Sequence, residues 1–358
     1  MKLRRRVLFP LALLLIALIG LLYFQSRPAP VLTVMTWPGA YGRAQASAQM
    51  RPYGAEKNVD VRPALWDGDL ADITAMVAKR QFKADVIDLE LPVAVQACKQ
   101  DLLEKIDPAI LPPGADGAPA ARDFVPGAIG PCWVGGMVYS QVMVFSPQRK
   151  PAPGTLADFF DTKKFPGRRA LSRASAKFNL EMALLADGVA QGEVYKTLGT
   201  PAGLDRAFAK LQALNPIWAH DSLGALGWLK NGQAVMVTAL NGDVQAQKEF
   251  APIWDHQLYE LDVFGIPVGD PKKKAAVDYI AYATGSALLA GVASWVAYGP
   301  ARRSSLALVK NNPETGTAML PLLPTAPQNF RHAFAIDDGW WLAHGDAIAP
   351  RWREFVSR

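Results

Sequence analysis

Two β-rich runs constrain this chain more than anything else in it. "MVYSQVMVFS" (137–146) and "QLYELDVFGIPVG" (257–269) are each long enough to leave one lobe and enter another. Around them, short β runs alternate with helical patterns. "VLTVMTW" (31–37), "VDVRPAL" (59–65) and "ADVIDLE" (84–90) read as strands, and between the last two Leu70, Ile73, Met76 and Val77 fall at helical spacing. A second set follows, with a helix around "NLEMALLADGV" and the strand "AVMVTALNGD". Strands alternating with helices predict α/β lobes with largely parallel sheets. The expected organisation is 31–140 as the first part of lobe 1, 141–258 as lobe 2, 259–310 as the return to lobe 1, and 311–358 as a C-terminal helical region completing it. Two lobes joined by two crossing strands leave a cleft in which strand ends and helix N-termini face a ligand.

The second crossing raises a question of its own. Glu260 and Asp262 stand two residues apart in "LYELDVFGIP", so on a strand both acids point to one face. Like charges on one face of an apolar strand call for a cation.

Charge narrows the range of partners. Residues 1–30 hold five Lys/Arg and no Asp/Glu, so only +1 of the formal +6 remains for the rest of the chain. No basic excess is left for nucleic acid. Lys2, Arg4, Arg5 and Arg6 precede an uncharged, mostly apolar run from Val7 to Phe24, the pattern of a secretory signal. The expectation is export to the periplasm with removal of residues 1–30 as a signal peptide; retention as a signal anchor is the alternative, because the segment lacks a clean A-x-A site.

An oxidising compartment suits Cys98 and Cys132 as a disulfide, with two free buried thiols as the other reading. The four His (220, 256, 332, 344) are scattered and give no metal-ligand spacing, so no metal and no cofactor are expected. No G-x-S-x-G, H-E-x-x-H or phosphate-loop motif occurs, which argues against an enzyme; the one enzyme reading left is a carboxylate pair of the glycoside-hydrolase kind. Arg168 and Arg169 in "FPGRR" read as a solvated basic face rather than a phosphate site.

Taken in order, "WPGAYGRAQ", "ADVIDLE", "QACKQDLLEKID", "DFVPGAIGPCWVGGMVYSQVMVFS", "LADFFDTKKFPGRRAL", "LNGD", "LYELDVFGIPVG" and "YGPARR" resemble the polyamine-binding (spermidine/putrescine-type) solute-binding proteins of bacterial ABC transporters. The resemblance covers nearly all of residues 31–358 and implies a two-lobe, type II periplasmic-binding-protein fold that captures a ligand by hinge closure. The implied partners are a polyamine or related cationic amine and an inner-membrane permease, with the receptor itself a monomer.

Site residues carry over one by one. Trp37 stands where the family has an aromatic after the first strand, although the acid often found two positions later is Gly39 here. Asp243 in "LNGD" and Asp262 match two cleft aspartates, Glu260 stands where relatives have a ring or an acid, and Glu181 and Tyr298 fall at contact positions. Asp88, on one strand face with Glu90, is a further candidate. The loss of acid at Gly39 and of rings at Leu240 and Glu260 leaves room for an amino acid, an opine or an organic anion in the same fold, with Arg43, Arg173 or Arg302 available to an anionic ligand. A membrane-anchored ligand sensor is a second alternative.

Overall fold

The computed structural model of the protein describes residues 29–247 and 249–357, so the apolar N-terminal run read as an export signal lies outside the described residues. The strands are β1 (Val31–Thr36), β2 (Asp60–Leu65), β3 (Val86–Glu90), β4 (Val134–Phe145), β5 (Arg169–Ser172), β6 (Ile217–Ala219), β7 (Met236–Leu240), β8 (Ala251–Gly265), β9 (Gly299–Pro300) and β10 (Phe334–Ala335). They form one curled path in the order β2-β1-β3-β8-β4-β7-β5-β6, with β10 beside β8 and β9 beside β4.

The path has two parallel ends. At one end β1 pairs with β2 and β3, and at the other β5 pairs with β6 and β7. Antiparallel β4 and β8 lie between them and pair with each other along most of their length. Parallel neighbours need helical crossovers, which explains why helices cover these ends. Leu70–Lys79 is one such crossover, capped at its start by Asp69, whose side chain accepts from Ala71 N at 2.8 Å.

The long strands change cores along their length. Val134, Met137 and Val138 belong to the first core, whereas Met143 and Phe145 belong to the second. Tyr259, Leu261 and Val263 of β8 lie in the first, Ile253 and Leu258 in the second. The two strands hand over at one level, where Tyr139 is the register partner of Glu260. Both crossings expected from run length are therefore present, and they bring charged and phenolic groups to the junction.

The chain end differs from the sequence reading. Between Asn311 and Ile336 there are loops, short turns and the two-residue strand β10, and the one long helix, Asp338–Val356, places Ile348, Trp352 and Val356 in the second core. Trp352 is held between Trp218 and Phe208, with ring centroids 5.2 and 6.3 Å away. A helix with so much aromatic surface packs where rings are available. Among the described residues no single helix is long and apolar enough to cross a membrane.

Two of the five arginines proposed as ligand or surface groups, Arg169 and Arg302, are structural. Arg169 is fully buried and donates to the carbonyls of Phe159 (2.8 Å), Asp161 (3.1 Å), Phe165 (2.7 Å) and Gly167 (2.6 Å), so it is not part of a solvated face. Arg302 is also fully buried, paired with Asp123 at 3.1 Å and bonded to Pro112 O at 2.8 Å. Each satisfies polar groups that would otherwise be orphaned, and neither is free for an anion.

Cys98 and Cys132 form a disulfide, with Cα atoms 5.8 Å apart and a sequence separation of 34. It ties the helix Leu91–Lys99 to the loop that leads into β4. Reduction is expected to cost roughly 3 to 4 kcal/mol in the chain-entropy picture, measurable by denaturant titration with and without reductant; an unchanged midpoint would remove the bridge from the stability of lobe 1.

Candidate functional site

The site is built on the register of β3 and β8. Glu90 lies directly opposite Asp262 and Asp88 opposite Phe264. Directly opposed residues share a face, and so do residues two apart on one strand. Asp88, Glu90, Glu260 and Asp262 therefore project to the same side of two neighbouring strands. Four carboxylates on one face repel each other unless protons or cations intervene.

Asp88 is held most firmly. Gln45 Nε2 donates to its Oδ2 and, at 3.2 Å, to Tyr41 Oη, while the Thr36 hydroxyl donates to Gln45 Oε1. The indole of Trp66 donates to Asp88 O at 3.1 Å, and Trp37 packs on Trp66 with centroids 5.8 Å apart. Asp88 Oδ1 and Trp37 Nε1 are buried without a hydrogen-bond partner. The carboxylate is thus oriented through one oxygen and leaves the other to accept.

Burial is the first cause of the electrostatics here. It pushes the Asp262 carboxyl well above the usual range, and the charges of Asp88, Glu90 and Glu260 push it further. Asp88 is raised by burial to about 7 against the opposing influence of Gln45, Tyr41 and the nearby Trp37 indole, and Glu90 by burial and then by Glu260. These groups hold protons at pH values where an exposed carboxyl has lost them. An ammonium placed among them would replace the protons.

A cation of the protein itself stands at the edge of the cluster. Lys177, just before the helix Asn179–Ala186 of the second lobe, pairs with Glu260 Oε1 and, at 3.4 Å, with Asp338 Oδ1. Tyr139 Oη donates to the other oxygen of Glu260 at 3.0 Å. Burial opposes the charge on Lys177, but Glu260 and Asp338 outweigh it and hold Nζ above the ordinary lysine range. Asp338 is pushed up by burial and next by Glu260. Lys177 also lines a cavity of about 440 Å³ with Gln141, Thr238, Leu240, Asp243 and Leu258, and the hydroxyl of Thr238 is buried there without a partner.

Tyr298 lies between the acid cluster and this cavity. Its ring is 5.2 Å from Tyr41 and 6.5 Å from Tyr139, and burial followed by the charges of Asp262, Asp243, Glu90 and Asp88 raises its phenol. The ring also rests on Gly242, where an added Cβ would come within 2.8 Å of it. Beside that glycine, buried Asn241 accepts from Ser140 N at 2.9 Å and donates to Ala297 O at 2.6 Å. "LNGD" is therefore a close-approach element that joins β4 and the Tyr298 segment to the second lobe.

The structure brings Asp88, Glu260, Asp262 and Tyr298 together, with Trp37 behind Asp88. Asp243 is half-buried in the adjoining cavity, its carboxyl raised by burial while Ser222 acts in the opposite direction. Glu181 does not join them. It is fully buried, accepts from Tyr195 Oη at 3.1 Å and from the Trp341 indole, and burial raises it to about 7. Lys177, Tyr41, Tyr139 and Asp338 were not singled out from sequence. Tyr41 stands within the quoted "WPGAYGRAQ" motif, but nothing local marks Lys177 as the partner of an acid 83 residues away.

A mixed α/β chain folded as two lobes on two crossing strands, with carboxylates and rings at the junction, has the architecture of a type II periplasmic binding protein. The chain belongs to the bacterial extracellular solute-binding protein family, whose model matches residues 48–318. It is 36% identical over 352 residues to a gamma-aminobutyric acid (GABA)-binding protein of Pseudomonas aeruginosa, covering 96% of each chain. An ABC-transporter substrate-binding protein from Bradyrhizobium japonicum superposes with a TM-score of 0.77 at 27% identity, over 91% of this chain and 99% of that one. A solved GABA receptor gives 0.73 at 28% identity, over 91% and 97%. A binding protein of A. tumefaciens B6 in complex with glucopine gives 0.70 at 25%, over 91% and 99%. The chain is a substrate-binding receptor of an ABC transporter. The resemblance read from sequence holds at the level of the family, and none of these relatives is named for a polyamine.

Proposed function

We propose that this receptor works in the periplasm and captures a small solute bearing one primary ammonium and one carboxylate, an ω-amino acid of the GABA kind, for delivery to an inner-membrane permease. The observation that carries this reading is Lys177 among the acids. Asp88, Glu90 and Asp262 supply an ammonium site, while Lys177 already compensates Glu260 and Asp338 and would repel a second ammonium. With the free hydroxyl of Thr238 it offers donors to a carboxylate instead. The GABA-binding relative supports the same ligand class.

Calorimetry with GABA, putrescine and spermidine tests this reading. GABA should bind, and the diamine and triamine should bind more weakly. Tighter binding of putrescine would restore the polyamine reading, and no heat from any of the three would sink both. The pH dependence has a definite sign. The cluster carboxyls are raised by burial and mutual charge, so at low pH they are neutral and cannot attract an ammonium. Affinity should therefore rise between about pH 5 and about pH 8, with protons released on binding and a heat that varies with the buffer. A flat profile would count against an ammonium in the cluster.

A further inference from the structure

A separate group of ligating side chains lies at the outer end of β8. Across this strand Met143 pairs with Ile253 and Gln141 with Leu258, so residues 254–257 bulge opposite the single residue Val142. Bulges re-aim side chains, and this one does so sharply. His256 adopts φ +53, a left-handed conformation uncommon for a residue other than glycine. In a regular strand Asp255 and His256 would point to opposite faces; here both turn to one side and meet His332.

The donors converge closely. Asp255 Oδ1 is 2.8 Å from His332 Nδ1 and Asp255 Oδ2 is 3.0 Å from His256 Nδ1, with one ligating atom from each residue inside a 4.8 Å set. His256 Nδ1 is buried and has no hydrogen bond of acceptable geometry. A buried polar atom without a partner requires an explanation, and a ligand role toward an ion is one.

Supporting contacts already hold the ligands. Leu156 N donates to Asp255 Oδ2 at 2.9 Å, which fixes the carboxylate, and Gln191 Nε2 donates to His332 O at 3.0 Å. Buried Gln257, next in the bulge, donates to Pro324 O and Asn329 O, both at 2.8 Å. Such outer contacts are what a metal site uses to orient its first ligands. His332 is half exposed, which leaves a side open for water.

We propose that Asp255, His256 and His332 form a binding site for a divalent transition cation of the zinc class, on the second lobe and distinct from the cleft. Two imidazoles and one carboxylate favour such an ion over the oxygen-seeking Mg²⁺ or Ca²⁺. Bonds of about 2.0 to 2.2 Å separate donors in a tetrahedral site by roughly 3.3 Å; the two carboxylate–imidazole spacings, 2.8 and 3.0 Å, are close to that value, and one donor atom from each of the three residues lies within 4.8 Å of the others. Two of the four histidines that look scattered in sequence are the ones the bulge joins.

The test is equilibrium dialysis of the untagged, chelator-treated protein against Zn²⁺, with Co²⁺ absorption reporting coordination geometry. We expect one tight Zn²⁺ per chain, no competition from Ca²⁺, and a four-coordinate Co²⁺ spectrum. His332→Ala and Asp255→Asn should each weaken binding about tenfold or more, while His344→Ala should leave it unchanged. Absence of Zn²⁺ uptake, or uptake unaltered in His332→Ala, would overturn the proposal. His332 is exposed, so that variant decides the matter even where Asp255→Asn fails to fold.

Discussion

Asp262→Asn is expected to weaken ligand binding about a hundredfold or more and, without ligand, to raise the stability of the fold at alkaline pH. The two effects have one cause. Asp262 is buried, directly opposite Glu90 and on the same face as Asp88 and Glu260. An ammonium bound there loses a charged partner in the variant, and breaking a buried pair costs about 3 to 5 kcal/mol, or about two to three and a half decades of affinity at about 1.4 kcal/mol each. Without the ligand the same carboxyl is a liability. Its folded value lies above its unfolded one, so its contribution is intact below the unfolded value and is lost as pH rises through the folded value. Asn cannot ionise and avoids that loss. The melting temperature of the variant should match wild type near pH 4 and exceed it near pH 8. Unchanged affinity would remove Asp262 from the site, and lower stability near pH 8 would mean that its charge is balanced by a group other than the ligand.

Such opposed effects are what a binding site built from strained electrostatics predicts, and they indicate how much the sequence could disclose. The crossings were legible because a run of apolar and β-branched residues longer than one lobe has few other uses. The face shared by Glu260 and Asp262 was legible because strand periodicity is local. Their alignment with Glu90 was not, since it depends on the register of strands more than 170 positions apart. The same holds for Lys177, for Tyr139 against Glu260, and for His256 with His332. Glu181 illustrates the converse: its place in the family pattern suggested a contact, whereas in the fold its carboxylate accepts from Tyr195 and Trp341 of two other elements. Arg169 and Arg302 looked like surface or ligand groups because nothing in a sequence tells an arginine that meets solvent from one that meets four carbonyls.

Lys177→Met is expected to exchange ligand preference. Lys177 is the side chain that turns part of an acid cluster into a mixed site, pairing with Glu260 and Asp338 while itself mostly buried. Two charges about 4 Å apart interact by roughly 4 kcal/mol at an effective dielectric of 20, so its removal leaves two buried acids in need of a cation. On the proposed reading GABA cannot meet that need: its single ammonium would be drawn to Asp88 and Asp262, and its carboxylate would face Glu260 and Asp338 without Lys177 between them. A diamine can meet it, because a second ammonium would occupy the vacated position. Affinity for GABA should fall about tenfold or more and that for putrescine should rise, changing their ratio by about two decades. The variant should also melt lower than wild type near neutral pH, and putrescine should recover that loss while GABA does not. GABA bound by Lys177→Met with wild-type affinity would show that the lysine does not set the preference, and the reading of a ligand with a single ammonium would lose its support.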